Sequence, residues 1–146
     1  MDTPANPRWL PVAMFFAFVY PVAGIAFAAL AGHSVSHAML VTWRLAAWVV
    51  CAAAFAAHLG YELFRLRSSP ARAAWHVSAA VALGAFVLAV WVNIQHWGDS
   101  VHQSPLAPWA LVAFPAVTGV PAFVVALVAG AGLARIRRRR PDRHLT

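Results

Sequence analysis

The chain has 146 residues, of which 62% are hydrophobic and 10% charged, with a mean hydropathy of +0.70. An ordinary soluble domain is about 45–50% apolar and about 25% charged, so this chain cannot give a fold of its size a polar skin, and a soluble enzyme or a disordered regulator is excluded. The formal net charge is +7, from eleven arginines and no lysine against Asp2, Glu62, Asp99 and Asp142; six of the arginines lie between Arg135 and Arg143, a placement that suits anionic lipid headgroups rather than nucleic acid.

The charge-free runs locate the elements. Leu10 to Ala31 is a run of 22 residues, Leu45 to Tyr61 of 17, Ala73 to Gly98 of 26 and Ser100 to Ala134 of 35. About 20 apolar residues carry a helix across the hydrocarbon core, where backbone polar groups must be satisfied within the segment. The expected fold is therefore an all-α integral membrane protein, a bundle of four transmembrane helices forming one domain. The spans are expected near 9–31, 41–64, 74–96 and 108–134, with a basic tail at 135–146. Trp9, Trp43, Trp75, Trp97 and Trp109 fall at the ends of these spans, where indole rings favour the headgroup level.

Orientation follows from arginine. With the N-terminus inside, Arg8, Arg65, Arg67, Arg72 and the tail face the cytoplasm and only Arg44 lies outside. The positive-inside rule then puts both termini in the cytoplasm of a multi-pass inner-membrane protein. Arg135, Arg137, Arg138, Arg139 and Arg140 are the expected lipid and topology determinants. Ala29-Leu30-Ala31 resembles a signal-peptidase site, and cleavage there would leave three spans. The apolar run before it is longer than a signal sequence needs.

Small residues recur every four positions and make close helix contacts easy to build. They are Gly24, Ala28 and Gly32 in span one, Ala52, Ala56 and Gly60 in span two, Ala80 and Gly84 in span three, and Ala122, Ala126, Gly130 and Ala134 in span four. Pro21 lies inside span one, and Pro115 and Pro121 inside span four. The equal spacing of Pro21–Gly32 and Pro121–Gly132 hints at an inverted repeat.

Ionisable groups at membrane depth are costly and are the functional candidates. His58 and His76 fall at similar depth on neighbouring spans, so they could ligate a b-type haem from its two sides. His58 and Glu62 are one helical turn apart and could form a proton relay. A stripe of Arg44, Trp48, Cys51, Phe55, His58 and Glu62 is expected to turn inward. The plainer expectation is that Glu62 pairs with Arg65 or Arg67 at the interface. On the outer side, His33, His37, His96, Asp99 and His102 supply imidazoles and a carboxylate suited to Zn²⁺ or Cu²⁺. His33 and His37 would share a side if a helical turn joined them. The lone Cys51 allows neither an internal disulfide nor a cysteine-based metal motif.

The leading functional expectation is a non-catalytic accessory or scaffold subunit, acting through helix packing and holding no cofactor. Its partners would be anionic lipid and a second copy or a larger membrane complex, with no nucleic acid. The alternatives are a haem or metal protein using the histidines, and a small dimeric transporter or channel.

Overall fold

The computed structural model describes residues 9–95 and 107–138, all of it helix and connecting turn. The helices are α1 (Trp9–Gly32), α2 (His37–Phe64), α3 (Pro70–Gln95) and α4 (Ala107–Arg138). All four are long and apolar enough to cross a membrane. Their outward faces carry Phe15, Phe18, Val117, Val124 and Val128. Such a surface is unfavourable in water and ordinary in lipid, so the molecule has the construction of a multi-pass membrane protein.

Local chemistry sets the breaks. α1 ends at Gly32, and after a short turn Ser36 caps α2, its extended backbone (φ −142°, ψ 154°) letting the side chain accept from the Met39 N–H at 3.2 Å. The second helix therefore begins at His37, four residues before the expected span. At the other end of α2, the Arg65 and Leu66 N–H groups both donate to the Tyr61 carbonyl. Arg67 then takes a left-handed conformation, φ 51°, a position glycine usually fills. Ser69 caps α3 by accepting from the Arg72 N–H, and Pro70 occupies the first helical position, where its missing N–H costs nothing.

Without a hydrophobic drive between helices in lipid, close contact depends on small side chains. α3 is the hub. Its longest contact is with α4; it also packs on α1, and α1 packs on α2. Among the described residues α1 and α4 do not meet. Where α1 crosses α3, a Cβ on Gly84 would come within 2.9 Å of the Tyr20 Cβ and 3.2 Å of the Ala17 carbonyl. Along α4, Gly119 lies against Ala82, Ala126 is fully buried, and a Cβ on Gly130 would meet Pro70 at 3.2 Å. The expected ridges of α3 and α4 thus face each other or α1. The ridge on α2 does not: Ala52 and Ala56 are exposed, and Gly60 has only Phe64 of its own helix nearby. The two matching prolines also differ, Pro21 being buried against Gly84 and Pro121 exposed.

The core lies toward one end. Leu59 and Leu63 of α2, Ala73, Ala74 and Val77 of α3 and Ala126 of α4 form it, with Phe55, Phe123 and Leu127 packed around. No residue of α2 before His58 is buried. The bundle is therefore tight at the α2–α3 turn and open at the α1–α2 turn, where α2 stands out from the core.

Gly84→Val should separate α1 from α3 and lower stability by about 1–3 kcal/mol, the usual effect of overpacking. Gly32→Ala, with nothing within 4 Å of the added Cβ, should change stability by less than about 0.5 kcal/mol. Thermal unfolding in detergent reads both.

Candidate functional site

The tight end of the bundle buries ionisable side chains. Glu62 and His58 have no solvent-exposed surface, and with Val77 they are the largest fully buried side chains. Both lie on one face of α2 because they are one turn apart. An unpaired carboxylate at such a position would be severely destabilising, so its partners matter most. His76 of α3 donates from Nδ1 to Glu62 Oε1 at 3.1 Å. Ser68 of the α2–α3 turn donates from Oγ to Glu62 Oε2 at 2.8 Å. Each carboxyl oxygen thus has a hydrogen-bond partner. The Ser68 N–H also donates to the Glu62 carbonyl at 3.1 Å, which closes the turn beneath the side chain.

The first helix completes the site with two rings. Trp9 stacks on His76 with centroids 4.3 Å apart and 10° between planes. Phe16 stacks on His58 at 4.4 Å and 7°. His76 keeps 12% of its side chain exposed. The two nitrogens of His58, by contrast, are buried and have no hydrogen-bond partner.

The expectations about the α2 face need correction in two places. Glu62 does not pair with Arg65 or Arg67: it turns inward to His76, while both arginines are exposed. The stripe turns inward only in part. His58 and Glu62 are buried and Cys51 and Phe55 half-buried, but Arg44 and Trp48 are exposed because α2 has left the core by that level. Of the relay expected between His58 and Glu62, the carboxylate is hydrogen-bonded to His76 and not to His58. Ser68, Trp9 and Phe16 were not foreseen. The serine could have been suspected from its place in the turn six residues after a membrane carboxylate. The two aromatic contacts depend on how α1 docks, which has no local signal.

A porphyrin ligated by His58 would have to displace the protein that now covers its nitrogens completely. His33 lies in the turn after α1 and His37 opens α2, so the break at Ser34–Ser36 keeps them off a shared helix; both are exposed. His96, Asp99 and His102 lie outside the described residues, as do Arg139 and Arg140. Among the described residues no group of three or more His, Cys, Asp or Glu is arranged to hold a metal ion. Arg135 is exposed at the end of α4, and Arg137 and Arg138 continue that helix.

Compared with known proteins, the chain matches no family model, and no curated protein or solved structure is significantly similar to it.

Glu62→Ala should leave the His76 Nδ1–H and the Ser68 hydroxyl without their acceptor. A loss of about 3 kcal/mol is expected for breaking such a buried pair, read as a lower unfolding midpoint in detergent. Glu62→Gln, which keeps an acceptor for one of the two donors, should lose less.

Proposed function

We propose that the protein is a small inner-membrane protein that accepts and passes on protons inside its helix bundle. One observation carries this reading: a fully buried carboxylate, Glu62, is bonded to an imidazole, His76, beside a second buried imidazole, His58, whose nitrogens are unpartnered. Apolar packing would stabilise the same place in the bundle at lower cost, because buried charges are expensive even when paired. In membrane segments such groups mark proton and ion pathways. Imidazole and carboxylate are the two side chains that exchange protons between about pH 4 and 7.

The orientation that fits best has both termini and the α2–α3 turn in the cytoplasm. Arg65, Arg67, Arg72 and the tail arginines then share one side, and Arg44 faces the other. The arginines of the tail, Arg135, Arg137, Arg138, Arg139 and Arg140, supply the charge that favours anionic headgroups. The Glu62 centre lies close to that cytoplasmic side.

Proteoliposomes with an interior pH dye test the reading. Wild-type protein is expected to dissipate an imposed pH gradient. Glu62→Gln should slow this at least tenfold, and so should His58→Phe, which keeps the ring stack on Phe16 and removes both nitrogens. Wild-type vesicles that behave like protein-free ones would overturn the proposal.

A second reading keeps the protein as an accessory or scaffold subunit. It is favoured by the outward α2 ridge of Ala52, Ala56 and Gly60, small residues that no other helix of the bundle covers. On this reading Ala56→Trp abolishes a homo-oligomer or the capture of a membrane partner seen with the wild type. An unchanged assembly would count against it.

A further inference from the structure

Four buried side-chain polar atoms among the described residues have no hydrogen-bond partner: Tyr20 Oη, Trp43 Nε1 and both nitrogens of His58. All belong to α1 or α2. Buried polar groups are nearly always satisfied, by protein or by ordered water, and each exception calls for an explanation. Their distribution supplies one. Two ring contacts fix the register of the antiparallel pair: Phe16 lies on His58, and Phe27 lies 6.2 Å from Trp43. Tyr20 is one turn beyond Phe16, and Cys51 is two turns beyond His58 toward the same end, so these two sit at neighbouring levels. The unpartnered atoms therefore follow one another along the α1–α2 seam.

Two grooves lie near this line, one between α1 and α2 and the other between the α2–α3 turn and α4. Gly24 lies one turn beyond Tyr20, and Ala47 and Trp48 about one turn beyond Cys51; with Phe27, Ala28 and Arg44 they line a groove of about 240 Å³. At the opposite end, Ser68, the donor to Glu62, lines a groove of about 520 Å³ with Arg67, Pro70 and Gly130. In order along the bundle stand the outer groove, Tyr20, His58, Glu62 with His76, Ser68, and the inner groove.

We propose that the α1–α2 seam, closed around these atoms as it stands, opens to water along a path from the outer groove past Tyr20 and His58 to the Glu62–His76 pair, from which Ser68 leads to the inner groove. Water that enters when the seam opens gives the phenol, the indole and the imidazole the partners that the protein does not. The use of the path for protons rests on the proton-handling reading above; the presence of water in it does not. Transfer along it is balanced: one proton enters at one groove and one leaves at the other, with no change of oxidation state.

Two measurements test this, and they separate its failure from that of the proton reading. Tyr20 and Tyr61 are the only tyrosines. In a Tyr61→Phe background a ring-labelled Tyr20 reports alone in water-edited solid-state NMR of protein in lipid vesicles. Early magnetisation transfer from water to the Tyr20 ring is expected, whether or not the protein moves protons. A ring that stays dark means that lipid chains or dry packing fill the seam, and this overturns the path while leaving the Glu62 centre standing. In vesicles where the wild type moves protons, Tyr20→Phe should slow them at least tenfold. An unchanged rate would overturn the route through Tyr20.

Discussion

A carboxylate inside a lipid-facing bundle must have partners, and much of this structure can be read as the means of supplying them. Glu62 is fully buried on α2. Its two oxygens take one donor from α3 and one from the turn between the helices. The same turn closes through the Ser68 N–H and the Glu62 carbonyl and carries Arg67 in a left-handed conformation. The pair thus joins the two central helices, and Trp9 and Phe16 bring α1 onto them. The α2 residues of the core, Leu59 and Leu63, flank this carboxylate.

Away from that end, packing is governed by volume rather than charge. Gly84 admits α1, and Gly119, Ala126 and Gly130 admit α3 to α4. None of these contacts reaches the N-terminal half of α2, whose face carries Leu45, Trp48 and Val49 to the surroundings. That asymmetry, a bundle closed at the α2–α3 turn and open at the α1–α2 turn, gives the proposed path its shape: ionisable groups lie where the helices meet.

The four helices were legible because each is a long charge-free run, and length and hydropathy alone define a span. Helical rise placed His58 and His76 toward the same end of neighbouring helices, but His76 meets Glu62, one turn from His58, rather than His58 itself. What sequence could not supply was the rotation of each helix about its axis. Glu62 could face Arg65, Arg67 or His76, and only the docking of α3 selects the histidine. The same applies to Arg44 and Trp48, which share a face with Glu62 in an ideal helix but lie beyond the level where α2 has neighbours. Small-residue spacing marks faces able to pack without saying which do: Gly130 has a partner helix, and Gly60 has none within the bundle.

A proton-handling centre differs from a structural ion pair in one respect: its two groups exchange a proton with each other and with water under working conditions. Glu62 is the only glutamate in the chain, the other acids being Asp2, Asp99 and Asp142. A glutamate-specific ¹³C-carboxyl label therefore reports this group alone in lipid vesicles. The decisive measurement is the pH titration of that signal beside the ¹⁵N signals of histidine, in wild type and in His76→Ala. In wild type the Glu62 carboxyl and His76 ring signals are expected to change together as the pH is varied, and in His76→Ala the change at Glu62 is expected to move to a different pH. A Glu62 signal that stays constant from about pH 4 to 8, a range spanning the ordinary carboxylate and imidazole values, would contradict it and leave the pair as a fixed clasp between α2 and α3.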